Sequence, residues 1–469
     1  MKNKTSASHA SSSSYLKALL LAISMMTVTA AAAGEPCEPH WKYTIGAPGM
    51  NSSVFALTTA HGMDEGPVLY AGGEFTMAGG ISANRIARWD TLTETWSALG
   101  TGMSDYVRAM VVFDDDTGGG PALFAGGQFD TAGDLPANRI AKWDGSSWSP
   151  LGIGTNGTVQ VLAGYDDGNG PALYAGGTFT TAGGITVNRI ARWNGMEWSA
   201  LGTGLNGPVF AMAVFDDGSG TGPALFVGGN FTSAGGMAAN RIAKWDGDQW
   251  SALGSGAGAT VRALATYNDG NGEALYALGT FNAAGGVLVN LIAKWDGQQW
   301  SALGNGIHNT GGCPCCNICF QDALIVFDDG SGDALYASGF FWGSGFPNSG
   351  LRKWNGKEWA AIESIGRVRA LAVLNGQAPD GGNGLYAGGS FTNAGGNPAH
   401  RIAKWQGCAK EPKCAFSDLD CNGSVGVQDL LILLSEWGEC ADCENCPADL
   451  TDNCNVGVAD LLILLANWG

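Results

Sequence analysis

The chain has 469 residues, 12 cysteines and a formal net charge of −18 at pH 7. An acidic balance without any cluster of Lys and Arg argues against nucleic acid or an anionic membrane surface as a partner. Glycine accounts for 75 residues, well above its usual share of about 7%. It recurs at regular positions between strand-like runs, so it marks turns rather than disorder.

The N-terminus has the layout of a secretory signal peptide. Lys2 and Lys4 precede an apolar run over 16–28 and a small-residue tail over 30–33. We expect residues 1–33 to be removed and the protein to be secreted or held at the cell surface. A membrane anchor is the alternative, but the run is shorter than the roughly 20 residues that a span needs. No later segment is longer, so no membrane span is expected after cleavage.

Between residues 51 and 405, a segment of about fifty residues is repeated seven times. Each copy has an apolar run, a glycine or glycine pair, and then a phenylalanine. These phenylalanines are Phe75, Phe129, Phe179, Phe231, Phe281, Phe341 and Phe391. Such a period predicts a solenoid, a propeller or an array.

One repeat reads as four short antiparallel strands. In the third copy they are predicted at 159–163, 172–177, 189–193 and 198–202, with a small-residue loop over 180–184. Asn194-Gly195 between the last two strands is a strong hairpin signal. Four such strands form one propeller blade. Helical periodicity is absent from the repeats, which predicts an all-β fold.

The two ends of the array predict a closed ring. The last copy stops at Trp405 without a fourth strand, and residues 41–46 match the missing strand. Pairing these segments removes an exposed sheet edge. We therefore expect a seven-bladed propeller over 37–407, closed by the N-terminal strand. A Cys37–Cys408 disulfide would clasp the ring, and a Cys408–Cys414 pair is the alternative.

The repeat resembles the kelch type. The second copy carries the resemblance in Phe124-Ala125-Gly126-Gly127, followed by Trp143, Trp148 and Leu151. The resemblance implies a β-propeller but no one activity. Trp stands in the third strand where kelch repeats more often carry Tyr, and the loop after the glycine pair is longer.

From Cys408 onward the composition changes, with eleven acidic residues and two lysines over 408–469. Two twelve-residue segments place oxygen-bearing residues at positions 1, 3, 5, 7 and 12, which is the EF-hand calcium pattern. The predicted ligands are Asp418, Asp420, Asn422, Ser424 (carbonyl) and Asp429 in loop one, and Asp449, Thr451, Asn453, Asn455 (carbonyl) and Asp460 in loop two. Loop two is expected to be weaker, because its sixth residue is Cys454 rather than glycine and its third is a neutral Thr.

Each loop runs into a leucine-rich helix, and the paired units resemble a type I dockerin over 408–469. The resemblance implies calcium binding and attachment to a cohesin-like scaffold or surface protein. Recognition positions 10 and 11 hold Val427-Gln428 and Val458-Ala459, not the Ser-Thr pair of the best-known members. Calcium that only folds the tail is the alternative. The cysteines of this tail favour disulfides over zinc in an exported chain.

The sixth repeat differs from the others and predicts a binding patch. A cysteine-rich loop precedes its first strand, and Phe340, Trp342 and Phe346 follow its second. Both loops lie on one face of the blade, so the aromatic side chains are candidates for stacking on a sugar ring or a peptide. The alternative is that Phe341 belongs to the core and its neighbours merely cover the insertion.

Two recurring charged positions have structural readings. An arginine opens the third strand in six repeats and is expected to tie neighbouring blades together rather than to bind anions. Asp-Asp turns follow several first strands, and turn chemistry explains them without calcium.

No catalytic residue is assigned, because no nucleophile, zinc or phosphate-loop motif is found. The sequence therefore favours a secreted propeller that binds a carbohydrate or protein ligand. A polysaccharide-degrading enzyme, a hydrolase or a lyase, is the first alternative. A purely structural surface protein is the second.

Overall fold

The computed structural model describes residues 39–42, 45, 48–61, 66–220, 222–307, 321–339, 350–374, 384–407, 417, 419, 425–439, 448–451 and 454–468. The predicted signal peptide and the predicted Cys37–Cys408 clasp lie outside these residues and stay predictions.

The described residues of the repeat region form seven four-stranded antiparallel sheets, numbered here as blades 1 to 7. The first strands are Val54–His61, Val107–Phe113, Val159–Asp166, Val209–Phe215, Val261–Asn268, Gln321–Asp328 and Val368–Leu374. The second strands are Pro67–Gly73, Ala122–Gly127, Pro171–Gly177, Ala224–Gly229, Glu273–Gly279, Asp333–Gly339 and Gly384–Gly389. The third strands are Ile86–Asp90, Ile140–Trp143, Ile190–Trp193, Ile242–Trp245, Ile292–Trp295, Leu351–Trp354 and Ile402–Gln406. The fourth strands are Thr95–Ala98, Trp148–Pro150, Trp198–Ala200, Trp250–Ala252, Trp300–Ala302, Trp359–Ala361 and, for blade 7, His40–Lys42.

The blades close into a ring. Each first strand contacts the first strand of the next blade, and the first strand of blade 7 contacts that of blade 1. The first strands are therefore innermost and surround the central channel of a β-propeller. The prediction of an all-β, seven-bladed propeller is confirmed.

The N-terminal strand completes blade 7, as the sequence predicted. His40–Lys42 pairs with Ile402–Gln406, and Trp41 lies opposite Trp405. The observed strand is shorter than the predicted 41–46. The N-terminal strand covers the edge of the third strand of blade 7, which would otherwise be available for intermolecular strand pairing.

Tryptophans hold the outer part of each blade. A third-strand and a fourth-strand indole pack together with ring centroids 5.2–5.4 Å apart in every blade. In six of the seven blades, all but blade 6, the fourth-strand indole N–H also reaches the preceding blade. Trp148 donates to the carbonyl oxygen of Leu99, and Trp198 donates to that of Leu151, both at 2.9 Å. One residue type therefore joins strands within a blade and ties adjacent blades together.

The antiparallel order gives the propeller two different faces. Connections into the first strand and loops after the second strand lie on one face, which we call the hairpin face. The turns between strands one and two and between strands three and four lie on the other, the turn face. Met50, before the first strand of blade 1, pairs with Ala78, after its second. This pairing recurs in five other blades, so the predicted sharing of one face is confirmed.

The sequence predicted a small-residue loop after the second strand. In each blade where this segment is described, it forms a short hairpin with two residues in each strand. These hairpins pair Met77–Ala78 with Ile81–Ser82, Thr131–Ala132 with Leu135–Pro136, Thr181–Ala182 with Ile185–Thr186, Ser233–Ala234 with Met237–Ala238, Ala283–Ala284 with Val287–Leu288 and Asn393–Ala394 with Asn397–Pro398. Glycines supply the turn, as at Gly183 and Gly184, which both have positive φ.

On the turn face, the Asp turns are fixed by ion pairs. Asp329 accepts hydrogen bonds from the Lys353 ammonium at 2.6 Å and from the Tyr336 hydroxyl at 2.8 Å. Equivalent pairs join Asp115 to Lys142, Asp217 to Lys244, Asp269 to Lys294 and Asp167 to Arg192. These contacts support the structural reading of the Asp turns.

The C-terminal tail contains two short helices, α1 (Val427–Ser435) and α2 (Val458–Ala466). Gly438–Glu439 pairs with Asn455–Val456 in a two-stranded ladder. Leu433 of α1 and Leu464 of α2 are fully buried in one small core with Val456. Among the described residues, no helix is both long and apolar enough to span a membrane.

Candidate functional site

A ring of seven bulged residues lies where the first strands begin, at the hairpin-face end of the central channel. Every first strand shifts register after its first residue, which leaves the second residue unpaired. A bulge bends the strand and re-aims the side chain of the extra residue. The bulged residues, which we call the mouth ring, are Phe55, Arg108, Gln160, Phe210, Arg262, Asp322 and Arg369.

The glycine pair of the repeat makes this bulge feasible. The amide of Glu74 donates to the carbonyl oxygen of Ser53 at 3.0 Å, which draws the end of the second strand against the start of the first. A Cβ atom at Gly73 would overlap that same carbonyl oxygen. Gly127, Gly177, Gly229, Gly279 and Gly389 have the same relationship to their own blades. The second glycine is therefore required by close backbone approach.

Mouth-ring side chains contact each other from blade to blade. The Arg108 guanidinium lies over the Phe55 ring at 4.5 Å from its centroid, and that of Arg369 lies over the same ring at 5.1 Å. Arg262 covers Phe210 at 4.5 Å. Cation–π contacts of this kind orient the guanidinium groups. The channel mouth therefore presents two aromatic rings, Phe55 and Phe210, each covered by guanidinium groups from neighbouring blades.

Carboxylates balance part of this positive charge. Glu74 and Asp105 act on Arg108, and burial lowers the pKa of Arg108. Burial acts to raise the pKa of Glu74, but hydrogen bonds from Ser52 and Ser53 and the charge of Arg369 outweigh it and lower that pKa. The Nη2 atom of Arg108 donates to Gln128 Oε1 at 3.5 Å. Its guanidinium is therefore held in place by neighbouring side chains.

Sequence reasoning missed the mouth ring, although a signal was present. Aligned on the glycine pair, six of the seven first strands begin with Val, and six of the seven bulged residues are followed by Ala. The residue between them is Phe, Arg, Gln or Asp. Variation at one register of an otherwise uniform repeat indicates a position that the scaffold does not need.

The residues of the predicted aromatic patch follow the second strand of blade 6. Phe340, Trp342 and Phe346 lie outside the described residues, and so does Phe341. The second strand that precedes them, Asp333–Gly339, ends at the hairpin face. The prediction therefore concerns the face that also carries the mouth ring.

The recurring arginines before the third strands have backbone and bridging roles. Arg85, Arg139, Arg189, Arg241 and Arg401 all adopt positive φ, and so does Leu291, which replaces the arginine in blade 5. Arg139 donates to the carbonyl oxygen of Thr155, in the connection to blade 3, at 3.1 Å. Arg189 instead donates to Thr178 of its own blade at 3.0 Å. The predicted tie between blades is thus present at Arg139 but not at Arg189.

In the tail, three predicted ligands of loop two converge. The Thr451 hydroxyl lies 2.9 Å from Asp460 Oδ1 and 3.3 Å from Asp449 Oδ1. Cys454, at the sixth position, has a φ of 63°, and its amide donates to Asp449 Oδ2 at 2.6 Å. This is the sharp turn for which glycine is usual in a calcium loop. Hydrogen bonds from the Gly457 and Thr451 amides act against burial and lower the pKa of Asp460.

Loop one ends in the same hydrogen bond as loop two, from a glycine amide to the aspartate three residues later. The Gly426 amide donates to Asp429 Oδ2 at 2.7 Å, as the Gly457 amide does to Asp460. Both aspartates are fully buried. The ligands predicted at 418, 420, 422 and 424, and Asn453 of loop two, lie outside the described residues. Cys454 is disulfide-bonded, which agrees with the preference for disulfides over zinc.

Within the described ranges, no three His, Cys, Asp or Glu side chains gather as a metal-binding group. Loop two offers two carboxylates and a hydroxyl. Hard oxygen donors of this kind suit Ca²⁺.

Fold and site together define the class: a closed seven-bladed β-propeller whose channel mouth carries aromatic and basic side chains. Comparison with protein-family models gave no match, and comparison with curated proteins gave none.

Among solved structures, the chain is similar to the GH74 xyloglucanase from Xanthomonas campestris. The two share 16% sequence identity with a TM-score of 0.47, over 84% of this chain and 55% of that one. The chain thus spans about half the length of the xyloglucanase. It is also similar to the mitotic checkpoint complex, with 15% identity and a TM-score of 0.45, over 81% of this chain and 97% of that one. Neither similarity bears on ligand or activity.

Proposed function

We propose that this protein is an exported kelch-like propeller that binds a carbohydrate or protein ligand at its channel mouth. In this proposal, a calcium-dependent, dockerin-like tail attaches it to a cohesin-like scaffold or surface protein. Export rests on the sequence of residues 1–33.

The observation that carries the binding proposal is the mouth ring. The scaffold requires a bulge in every blade, but it does not require Phe or Arg at the bulged position, because Gln160 and Asp322 also stand there. Three Phe–Arg contacts nevertheless form, at Phe55–Arg108, Phe55–Arg369 and Phe210–Arg262. Side chains that differ on an invariant frame are typical of a binding surface.

The chemistry of these side chains suits a ligand with flat apolar faces and acceptor groups. Phenylalanine rings stack on the apolar face of a sugar or on a peptide side chain. A guanidinium donates to hydroxyl and carboxylate oxygens in a fixed fork geometry. The aromatic patch predicted at Phe340, Trp342 and Phe346 would extend this surface outward from the channel.

Binding by the intact protein to a glycan array and to a peptide library tests this proposal. Phe210→Ala and Arg262→Gln are expected to lose the signal, whereas Met196→Ser is expected to keep it. Met196 is the matched control because it is 83% exposed on the turn face. A signal that survives both mouth variants would place the ligand elsewhere. Release of sugar in a parallel assay would favour the enzyme alternative.

Attachment through the tail is supported by its internal duplication. Both loop–helix units have the same glycine amide–aspartate hydrogen bond, the same buried leucine and the same stripe of exposed apolar residues. The stripe consists of Val427, Leu431 and Leu434 on α1 with Trp437 just after it, and of Val458, Leu462 and Leu465 on α2 with Trp468 just after it. Residues three or four apart share one face of a helix. Paired stripes of this size are suited to a protein partner.

Calcium in this proposal is held by the predicted oxygen ligands. Asp449, Thr451 and Asp460 of loop two bring two carboxylates and a hydroxyl together, so the donor chemistry fits Ca²⁺. The ion would neutralise the buried carboxylates and hold each loop against its helix. Ligand binding only to the folded tail stabilises the fold by mass action.

Calcium titration of the full chain by calorimetry tests the tail. We expect one tight and one weaker event, and Asp460→Asn should remove the weaker. Asp248→Asn, an exposed turn residue of blade 4, should change neither. If neither loop binds calcium in the titration, the calcium proposal is wrong. Calcium binding without calcium-dependent capture of cohesin modules would leave only the folding role and reject attachment.

A further inference from the structure

The interface between blades 1 and 2 contains a cavity of about 650 Å³ on the turn face. Its lining includes Ala60 and Tyr70 of blade 1 and Phe113, Asp114 and Trp143 of blade 2. This volume lies within the range of small-molecule sites, roughly 300–1,000 Å³. The cavity lies at the turn-face ends of the first strands of blades 1 and 2, whereas the mouth ring lies at their opposite ends.

The cavity has a simple cause in the repeat. Ala60 pairs with the start of the second strand, opposite Val68. The same register holds Phe113, Tyr165, Phe215, Tyr267, Phe327 and Leu374 in the other blades. These large side chains face the following blade, since the Tyr165 hydroxyl donates to Pro223 of blade 4 at 2.6 Å. Blade 1 alone has a methyl group at this position, so among the described residues no large side chain from this register fills the space towards blade 2.

Aromatic side chains around Ala60 are uncovered as a result. Tyr70 and Trp143 are each half-buried. Their counterparts in the other six blades are all below 10% exposed. The remaining blades thus act as internal controls, and the exposure is specific to this interface. Two partly exposed aromatic side chains in one concavity match the usual composition of a ligand pocket.

The charge of the lining restricts the ligand. Asp114 and Asp144 line the cavity, and none of the described lining residues is Lys or Arg. Hydrogen bonds from the Ser146 and Ser147 amides hold the pKa of Asp144 well below its ordinary value. Ionised carboxylates beside aromatic walls disfavour an anion and favour a cation, which the ring faces also attract. The aromatic side chains of the cavity suit an apolar group attached to the cationic centre of the ligand.

We propose that the cavity at the blade 1–blade 2 interface binds a small organic cation with an apolar body, such as an aryl or alkyl ammonium. The aromatic walls cover the apolar body, and Asp114 and Asp144 face the positive charge. This site is independent of ligand binding at the mouth ring.

Calorimetric titration of the full chain with phenyltrimethylammonium tests the proposal, with benzyl alcohol as the neutral probe and methyl glucoside as the sugar probe. Saturable binding of the cation is expected. Asp114→Asn keeps the side-chain acceptor of the turn and should weaken cation binding roughly tenfold without changing the neutral probe. Met196→Ser again serves as the control.

Filling the cavity gives the second arm. Ala60→Phe restores the side chain of the other blades and should abolish binding without lowering the melting temperature. Ala60→Leu serves if the phenylalanine is not accommodated, because Leu374 occupies this register in blade 7. Undiminished binding to both variants, tighter binding of either uncharged probe, or no saturable binding of the cation would overturn the proposal.

Discussion

The indole rings of Trp41 and Trp405 pack at 5.2 Å between centroids. This contact joins the N-terminal closing strand to the third strand of blade 7. The contact is supported on both sides. The Trp41 N–H donates to the carbonyl oxygen of Glu363, where blade 6 ends. The Trp96 N–H of blade 1 reaches that of Ile45, just beyond the closing strand. Closure therefore depends on side chains as well as on the strand ladder.

Trp41→Ala is expected to destabilise the propeller by about 3–5 kcal/mol, the usual cost of truncating a large buried aromatic residue. Trp41 is 3% exposed, and its loss also weakens the seam of the ring. Urea unfolding followed by far-UV circular dichroism measures the change.

Trp468→Ala is the matched control for this substitution, because Trp468 is 43% exposed in the tail. It should leave the propeller transition unchanged. Equal stability of the Trp41 variant and the native chain would show that the closing strand contributes little.

Acid should weaken the propeller through its Asp–Lys pairs. Burial acts to raise the pKa of Asp329, but Lys353, Ser331 and Tyr336 outweigh it, so the pKa lies below the ordinary 3.8. The unfolded chain then takes up the proton first as the pH falls. The contribution is complete above about pH 4 and is lost as the pH falls through the folded-state pKa.

Asp329→Asn isolates this contribution. It should cost about 1–3 kcal/mol at pH 7, in the range of hydrogen bonds to charged groups, and clearly less at pH 2.5. Unfolding free energies at the two pH values measure it. A cost that does not change with pH would exclude the ion pair as its source.

The second glycine of the repeat is expected to be irreplaceable. Gly229→Ala brings a Cβ atom against the carbonyl oxygen of Pro208 and should cost about 1–3 kcal/mol by overpacking. It should also weaken ligand binding, because the bulge re-aims Phe210.

Gly119→Ala is the control for the glycine prediction. A Cβ at Gly119 meets no atom within 4 Å, so this change should be neutral or slightly stabilising. Thermal unfolding compares the two variants, and equal melting temperatures would contradict the close-approach argument.

Substitution of Arg139, just before the third strand of blade 2, and of Arg262, in the mouth ring, should separate effects on stability from effects on binding. Arg139 bonds the Thr155 carbonyl and pairs with Asp130, so Arg139→Gln should cost about 1 kcal/mol and keep ligand binding. Arg262→Gln should do the reverse. Unfolding free energy and glycan or peptide binding are measured on both. Loss of binding in the Arg139 variant alone would indicate that the ligand binds near Arg139 and not at the channel mouth.

Local patterns gave the blades with good accuracy. Alternation and hairpin signals predicted the four strands of the third copy, which the structure places at Val159–Asp166, Pro171–Gly177, Ile190–Trp193 and Trp198–Ala200. The loop over 180–184 was missed as a hairpin, because two-residue strands are too short to show alternation. The site residues fared differently. The mouth ring carries no motif, and its Phe–Arg contacts form only because the closed ring places the bulges of neighbouring blades side by side.

The sequence by itself determined the repeat, the number of blades and the seam at Trp41, because period and strand alternation are written along the chain. Only the tertiary structure decided which side chains meet across blades. Arg108 reaches Phe55, and Ala60 uncovers Trp143, through the ring's closure. Such contacts depend on distances between separate strands, and a one-dimensional pattern does not record them.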